Sequence, residues 1–520
     1  MGTDGSIVEF LLKPESYPEK PSSVVHRETH ISHVFLAAST AYKIKKPVDL
    51  GFLDFTTLAK RRFYCREEVK LNSRLAKGLY LGVVPIYKKR DGYAFARSWG
   101  AVIVEYAVKM KRMPEEKLLS RLIGEGKLLY GALAEVGEVL ARFHREAPIS
   151  RRGPYGGVEA VRTNMEENFD QIRPYRGVTL DPEVYARLVS SGRIFLKNRG
   201  DLIGARKERG FVREVHGDLH TENLCLTSPP IIFDCIEFNR RFRISDVLED
   251  MAFLFMDLEY RGRFDLSAAV SDAYFSHFPA SVSAGLLLFY KTYRAVVRGK
   301  IEGFTADGLK DDPAARESAL HRARDYYKLA EHYVEDGKPP FNPVVLMGVS
   351  GAGKSVIARD LLPGSVVLRS DEVRKRMAGV PAGAHVYVDY ESGLYDPAMT
   401  IRTYRAMTRD AVAAAEKGKR VVVDAAFLAS GLRDEFYETS VSKGLNPFFV
   451  WCVASEPILR GRVQRRMDSG ADISDAGLDV LERQLRIGAD ADGLPSFRVM
   501  KVDTGEDAPE TIRRALRLFL

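Results

Sequence analysis

The first 335 residues begin with β-strand patterns and continue with helical ones. Apolar and polar residues alternate from His33 to Lys46, which predicts a hairpin that turns at Ser39-Thr40. From Glu116 onward, apolar residues recur mostly at helical spacing. Strands followed by helices predict an α+β arrangement, in which a small sheet lobe precedes a helical lobe. The other predicted elements of this part are a helix at Leu58–Leu75 and strands at Gly82–Tyr87, at Ala101–Tyr106, around Leu224 and at Ile231–Phe233.

The last part of the chain alternates strands with helices, an order typical of a parallel α/β sheet. A polar, proline-rich stretch, Glu335–Pro343, separates it from the first part and predicts a linker. We therefore predict two domains, 1–335 and 343–520, each long enough to bury a core. The predicted elements of the second domain are strands at Val344–Met347, Val366–Leu368, Arg420–Asp424 and Phe448–Val453, and helices at Lys354–Leu361 and Asp371–Met377.

Composition restricts the classes of function. The 520 residues are 45% hydrophobic and 28% charged, the balance of a globular protein, and the net charge of +8 suits anionic small ligands without demanding a nucleic-acid partner. Apolar runs fall far short of the roughly 18 residues that span a membrane, and the N-terminus lacks the basic segment of a secretory signal. Four scattered cysteines exclude a disulfide scaffold and a zinc ribbon and predict a reducing cytoplasm: Cys65, Cys225, Cys235 and Cys452.

The segment from Gly348 to Ser355 fits the phosphate-binding P-loop pattern completely. A predicted buried strand precedes it and a predicted helix follows it, so its backbone N–H groups can surround phosphate oxygens at a helix N-terminus. Lys354 can reach the β- and γ-phosphates, and the Ser355 hydroxyl can bind Mg²⁺. The predicted nucleotide-binding residues are Gly348, Ser350, Gly351, Ala352, Gly353, Lys354 and Ser355.

Charged residues after the later strands extend this site. Asp424 ends a buried strand, where a carboxylate can hold Mg²⁺ through water or simply cap the strand. Asp371 can orient or deprotonate an acceptor hydroxyl and Arg374 can face the substrate, although Asp371 could also be a helix N-cap. A helical segment carries arginines that either close over the transferred phosphate or form a solvated basic face: Arg460, Arg462, Arg465 and Arg466.

Together these features resemble the small P-loop kinases of the gluconate-kinase and polynucleotide-kinase-like group, over roughly Pro343 to Leu520. The resemblance is most specific in the P-loop and in the Ser-Asp-x-x-Arg segment that contains Asp371 and Arg374. It implies that these two residues belong to the acceptor side, and that Arg462 and Arg466 belong to a catalytic lid.

The first part contains a second pattern for phosphoryl transfer. His216, Asp218 and Asn223 form H-x-D-x-x-x-x-N, and a short apolar strand ending in Asp234 follows. Phosphoryl transfer needs a base near the acceptor hydroxyl and ligands for Mg²⁺. Asp218 fits the catalytic base, and Asn223 and Asp234 fit the metal ligands.

This pattern resembles the aminoglycoside-phosphotransferase-like kinases, which share the protein-kinase fold, over about residues 25 to 330. The resemblance implies a phosphate-binding lysine on the third strand, for which Lys43 and Lys45 share one strand face and Lys45 is preferred. It also implies a helical glutamate partner, Glu68 with Glu67 as its rival, and an adenine-binding hinge at Glu105-Tyr106-Ala107. Asp246 and Asp250, beyond the pattern, are expected to brace the catalytic loop.

We therefore predict a fusion of two ATP- and Mg²⁺-dependent kinases that phosphorylate hydroxyl groups of small molecules such as sugars or polyols. The first hairpin has no glycine-rich loop, and Cys235 follows Asp234 in place of the Phe-Gly of regulated protein kinases. A pocket for polycationic aminoglycosides would be acidic, which this sequence does not indicate. Two alternatives stay open: a nucleic-acid end kinase acting through the P-loop domain, and an ATP-sensing regulatory protein with one inactive site.

Overall fold

The structure is a computed structural model. This structure describes residues 5–90, 92–128, 130–278, 284–334, 341–361, 364–381, 396–469, 477–488, 491 and 493–505. The chain forms two compact units. The first consists of Met1–Leu128, Leu133–Asp257 and Val270–Val334, and the second of Leu129–Ala132, Leu258–Ala269 and Glu335–Leu520. Most of the predicted linker, residues 335–340, lies outside the described residues.

The first unit opens with a six-stranded antiparallel sheet in the order β1-β2-β3-β6-β4-β5. Strands β2 and β3 form the predicted hairpin, but its two-residue turn is Ala38-Ser39, because Ala37 pairs with Thr40 and Ala38 adopts a φ of 50°. Helix α2 packs against β4 and β6. The elements are α1 (Gly5–Leu12), β1 (Val24–Glu28), β2 (Ser32–Ala37), β3 (Thr40–Lys45), α2 (Leu58–Asn72), β4 (Tyr80–Lys89), β5 (Gly92–Ala94) and β6 (Val102–Lys111).

The rest of the first unit is mainly helical and carries two short antiparallel strand pairs, β7 with β10 and β8 with β9. The sheet lobe is followed by the helical lobe, in the two-lobed α+β order that the sequence predicts. The elements of this region are α3 (Leu119–Gly124), α4 (Ala134–Glu146), α5 (Val158–Ile172), α6 (Pro182–Glu208), β7 (Val212–Glu214), β8 (Leu224–Cys225), β9 (Ile231–Ile232), α7 (Arg240–Arg243), β10 (Ile244–Asp246), α8 (Val247–Tyr260), α9 (Phe264–His277), α10 (Ala284–Gly308) and α11 (Pro313–Val334). The end of α8 and the start of α9, within Leu258–Ala269, belong to the second unit, which departs from the predicted domain 1–335.

The second unit is built on a five-stranded parallel sheet in the order β12-β13-β11-β14-β15. Its central strands are buried on both faces, as their continuous apolar runs require. This is the predicted parallel α/β sheet, with the P-loop directly after β11. Its elements are β11 (Val344–Met347), α12 (Lys354–Leu361), β12 (Val366–Arg369), α13 (Ser370–Met377), α14 (Pro397–Glu416), β13 (Val421–Asp424), α15 (Ser430–Ser442), β14 (Phe448–Val453), α16 (Glu456–Ser469), α17 (Leu478–Ile487) and β15 (Val499–Asp503).

A membrane crossing requires a helix that is both long and of low polarity, and none of the described helices combines these two properties.

We expect the two halves to fold independently when the chain is divided within Glu335–Asn342, because each half contains its own hydrogen-bonded sheet. Each fragment should then show one cooperative transition in urea, followed by circular dichroism. A chain cut instead inside α10, at residue 296, is the control and should yield no folded N-terminal fragment. Two insoluble or non-cooperative fragments from the linker cut would contradict the predicted domain boundary.

Candidate active sites

Five charged side chains meet where the sheet lobe of the first unit faces the candidate catalytic segment, His216–Glu237. One oxygen of the buried Glu68 carboxylate accepts a hydrogen bond from Lys45 Nζ at 2.7 Å, and the other forms an ion pair with Lys43 Nζ at 3.0 Å. Lys43 also donates to Asp234 Oδ1 at 2.5 Å, and Lys45 donates to Glu237. Three carboxylates therefore face two ammonium groups, which leaves one negative charge uncompensated.

The two lysines differ in how deeply they are buried and in whether they line a cavity. Lys45 is 1% exposed and lies between two buried carboxylates, whereas Lys43 lines a cavity together with Asp234. Burial alone would lower the pKa of Lys43, but the charges of Asp234 and Glu68 raise it well above its usual value. Glu68 is the shared partner, whereas its predicted rival Glu67 lies near Lys70 and Arg243.

The catalytic segment holds its carboxylate in one orientation. Asp218 Oδ2 lies 3.3 Å from His220 Nε2 and accepts from Asn223 Nδ2 at 3.2 Å, and the same amide donates to the Asp218 carbonyl at 2.9 Å. Burial alone would raise the pKa of Asp218, but the charge of His220 and its hydrogen bond bring that pKa well below its usual range. Asp218 is therefore ionised at neutral pH.

Asp234 is brought beside Asn223 by the β8–β9 hairpin. Leu224 pairs with Ile232, and the Phe233 N–H donates to the Asn223 carbonyl at 3.0 Å. Asp234 itself has a φ of 61°, a backbone conformation that costs free energy for a residue other than glycine. Its side chain is 43% exposed and lines the cavity. The two predicted metal ligands thus share one end of this hairpin.

Asp250 braces the catalytic segment, as expected from the sequence. Its two oxygens accept from the backbone N–H groups of His216 at 3.0 Å and Gly217 at 2.8 Å, and one also lies 3.1 Å from His144 Nε2. Gly217 has a φ of 86°, and a Cβ there would lie 2.9 Å from a backbone oxygen. Asp246 instead forms a buried bidentate pair with Arg206 and makes no such contact with the segment.

The predicted hinge must be corrected. Glu105, Tyr106 and Ala107 lie in the interior of β6, where Ala107 pairs with both β3 and β4. The Tyr106 N–H donates to Glu105 Oε1 at 2.9 Å, and its carbonyl accepts from Cys65 Sγ at 3.8 Å. Because these backbone groups already have partners, the segment cannot receive adenine through them. The chain leaves the sheet only after Lys111.

In the second unit, β11 and α12 hold the P-loop as the sequence predicts. Gly348 has a φ of 131°, and a Cβ at this position would lie 2.3 Å from the carbonyl oxygen of Cys452. Only glycine fits so close an approach. Lys354 Nζ folds back over the loop and donates to the carbonyls of Gly348 at 2.8 Å and Val349 at 2.9 Å. The loop's other predicted residues, Ser350, Gly351, Ala352 and Gly353, complete the turn between them.

Ser355 and Asp424 meet at the end of the parallel sheet. The Ser355 hydroxyl donates to Asp424 Oδ2 at 2.7 Å, and Arg369 Nε lies 3.8 Å from the same carboxylate oxygen. Asp424 therefore does more than cap its strand. A hydroxyl paired with a carboxylate beside a P-loop is the donor set that nucleotide-bound Mg²⁺ uses in P-loop proteins.

Asp371 and Arg374 lie on the first turns of α13 and pair with each other at 3.1 Å. Arg369 precedes them as the residue that caps the helix, so Asp371 is not the N-cap that the sequence left open. Among the arginines of α16, Arg462 donates to the Gly351 carbonyl at 3.3 Å and to Thr504 Oγ1 at 2.8 Å, whereas Arg460 pairs with acidic side chains. Arg465 bonds within its helix, and Arg466 lies one turn beyond Arg462.

Sequence reasoning missed several residues of these sites. Glu237 pairs with Lys45, Gln484 accepts from the Ser350 N–H at 2.7 Å, and Thr504 receives Arg462. No motif contains them, because each lies far along the chain from the residue that it contacts. For the lysines the sequence offered no deciding signal, because Thr40-Ala-Tyr-Lys43 and Tyr42-Lys-Ile-Lys45 each share two residues with the V-A-I-K pattern.

Both parts of the chain are similar to known proteins. Residues 344–487 match the AAA domain family. Uncharacterized proteins of Mycobacterium tuberculosis strain H37Rv and of Mycobacterium bovis are each 33% identical over 404 residues, which is 76% of this chain and 77% of theirs. Among solved structures, a gluconokinase from Sinorhizobium meliloti is 23% identical (34% of this chain, 93% of that chain, TM-score 0.25), and choline kinase LicA from Streptococcus pneumoniae is 16% identical (62% and 99%, TM-score 0.37).

We expect Asp250→Ala to destabilise the protein by about 3 kcal/mol or more, because it leaves two buried N–H groups without an acceptor. Urea unfolding of the full chain measures this change. Asp170→Ala removes a carboxylate from an exposed pair with Arg173 and is the matched control, with an effect of about 0.5 kcal/mol at most. Equal effects of the two substitutions would contradict the bracing role of Asp250.

Proposed function

The chain belongs to the same protein family as the mycobacterial proteins that it matches, and from its two sites we propose a bifunctional ATP-dependent kinase. Each site would transfer the γ-phosphate of ATP to a hydroxyl of a small molecule, such as a sugar or polyol. The observation that carries the proposal is the cluster of Lys43, Glu68 and Asp234, in which a lysine held by a buried glutamate meets a partly exposed carboxylate at an open cavity.

In the first unit, we propose that Lys43 rather than Lys45 binds the ATP phosphates, with Glu68 holding it in place. Asp218 orients the acceptor hydroxyl and accepts its proton, since its carboxylate stays ionised at neutral pH. The sheet ends at Lys111, so we propose that adenine is received by the following segment, Arg112–Glu115, in place of Tyr106.

The residues present fit a magnesium ion beside this cleft. Asp234 and Asn223 supply a carboxylate and an amide oxygen, donors that Mg²⁺ accepts, and the cluster carries one negative charge in excess. When bound, the ion would neutralise charge on the transferred phosphate. In the second unit, Ser355 and Asp424 offer an equivalent pair.

For the P-loop site, we propose that Lys354 turns from its loop carbonyls to the nucleotide phosphates. Asp371 would orient the acceptor hydroxyl and Arg374 would contact the acceptor, once their mutual ion pair opens. Arg462 bonds to the loop already, which supports a structural contribution to the lid, while Arg466 is proposed to contact phosphate. All four cysteines are free, buried thiols, which supports the proposed reducing cytoplasm.

The two alternative functions are separated from this proposal by simple measurements. Phosphorylation of an oligonucleotide end, lost at high salt, would favour the nucleic-acid end kinase. Binding of ATP without transfer to any acceptor would favour the regulatory protein. The primary test is a panel of sugars, polyols, their acids and nucleosides, incubated with radiolabelled ATP and the full chain.

We expect Lys354→Ala and Asp218→Ala to abolish different activities in that panel, because the two sites contain separate phosphate-binding groups. Each substitution should reduce transfer at its own site by about 100-fold or more and leave the other acceptor's turnover unchanged. Lys197→Gln, at an exposed position of α6, is the control for a lost positive charge. If either substitution alone removed all transfer, the independence of the sites would be disproved.

We expect Lys43→Met and Lys45→Met to differ in what they impair. Lys43→Met should reduce transfer at the first site by about 100-fold or more while Glu68 keeps Lys45 as its partner. Lys45→Met leaves the buried Glu237 without its ion-pair partner and should cost about 3–5 kcal/mol of stability. Single-turnover assays and urea unfolding, run on both variants, provide the two readouts. An active Lys43→Met chain together with a stable, inactive Lys45→Met chain would restore Lys45 as the phosphate-binding residue.

A further inference from the structure

Lys300 is a buried lysine in the wall of the same cavity that Asp218 and Asp234 line. It lies on α10 and is 8% exposed. Its Nζ donates to Asn168 Oδ1 and, at 2.9 Å, to Gln171 Oε1, both on α5. It also lies 5.9 Å from the centre of the Phe52 ring. The ammonium group is therefore held by two neutral amides on a partly aromatic wall.

The other cations of this wall differ from Lys300 in having carboxylate partners. Among the described residues, the hydrogen-bond partners of Lys300 are amide oxygens, and the nearby Glu167 is already held by Arg241 in a bidentate pair. The neighbouring cation–carboxylate pairs are Lys43 with Asp234, Arg294 with Glu249, and Arg298 with Glu222 and Glu302.

A buried ammonium group without a carboxylate is costly, and the protein bears this cost inside a cavity of about 580 Å³. Burial lowers the pKa of Lys300 to about 8, against a smaller opposing effect of Glu167. The cavity volume lies within the range of sites for small metabolites. An anionic group of a ligand would supply the missing charge partner.

We propose, on the basis of the kinase function proposed above, that Lys300, positioned by the amide oxygens of Asn168 and Gln171, forms an anion subsite for the acceptor of the first unit. The acceptor is then an alcohol that also carries a negative group, either a carboxylate or a phosphate ester. Its hydroxyl lies toward Asp218 and its anionic group toward Lys300. The aromatic side chains of the wall, including Phe52 and Tyr293, contact the carbon frame between the two groups.

The test measures anion binding without catalysis. Every protein carries Lys354→Ala to silence the P-loop and Asp218→Asn to prevent transfer, and a saturating non-hydrolysable ATP analogue fills the nucleotide site. The probes are sulfate, for the phosphate ester, and D-gluconate, for the carboxylate, with D-glucose and ethanolamine as neutral and cationic comparators. Titration calorimetry at pH 8 in two buffers of different ionisation enthalpy measures affinity and proton exchange.

We expect sulfate, gluconate or both to bind, and the tighter of the two identifies the anion class. Lys300→Gln should weaken this binding by about 10- to 100-fold, the range for a hydrogen bond to a charged group, while Lys300→Arg keeps most of it. Lys197→Gln, the exposed control, should change nothing. Because a bound anion raises the pKa of Lys300 from about 8, binding at pH 8 should take up protons, and this uptake should disappear at pH 6.

Several results would overturn this proposal. The anion subsite is disproved if glucose or ethanolamine binds as well as the anions, if no anion binds, or if Lys300→Gln binds them normally. It is also disproved if Lys300→Gln weakens binding of the ATP analogue instead, which would assign Lys300 to the nucleotide.

The proposed kinase function can fail separately. Lysine-dependent anion binding with no transfer to any acceptor by the unmutated chain would support the subsite and refute the kinase. Transfer to neutral acceptors only, unaffected by Lys300→Gln, would support the kinase and refute the subsite.

Discussion

The Glu68 carboxylate, buried on α2, holds two lysines of β3 at once, and the cleft of the first unit depends on this double ion pair. Lys43 and Lys45 lie two residues apart and share one strand face, so a single helical carboxylate can reach both. Helix α2 is thereby fixed against the sheet. Glu237 and Asp234 then attach the catalytic segment to the same cations, one behind the cleft and one at its opening.

The consequence of this arrangement is an electrostatic gradient across the cleft. Lys45 and Glu237 are almost completely buried and belong to the interior, whereas Asp234 is 43% exposed. Asp218 adds a second ionised carboxylate, kept in that state by His220 and Asn223. Buried charges of this kind are retained only with partners, and here each has one. Asp234, whose side chain is more exposed than those of Glu68, Glu237 and Asp218, lies at the opening, where a cation and a phosphate group would enter.

Most of this arrangement could be predicted from sequence, because motifs combine residues that are close along the chain. The P-loop, the segment from His216 to Asn223 and the strand ending at Asp234 all lie where their patterns place them. Strands β11 and β14 were predicted to the residue. Short runs with clear flanking turns give such boundaries, since a buried parallel strand is continuously apolar.

What could not be predicted depends on register and on long-range pairing. Periodicity shows that Lys43 and Lys45 lie on the same face of β3. It does not show which lysine is the more deeply buried, because that depends on the pairing of Lys45 with Glu237, 192 positions away. The hinge was misplaced because Ala101–Tyr106 looks like a complete strand, whereas β6 continues to Lys111. Strand β1 was missed because its residues are mostly exposed and polar, which weakens the alternation that indicates a strand.

The lysine of the P-loop gives the second site a property that its motif alone does not reveal. Lys354 Nζ donates to the carbonyls of Gly348 and Val349, two residues of the same loop. To reach the phosphates of a nucleotide, this ammonium group must give up both carbonyls. Nucleotide binding becomes an exchange of partners by one side chain, which can occur on the time scale of rotamer changes.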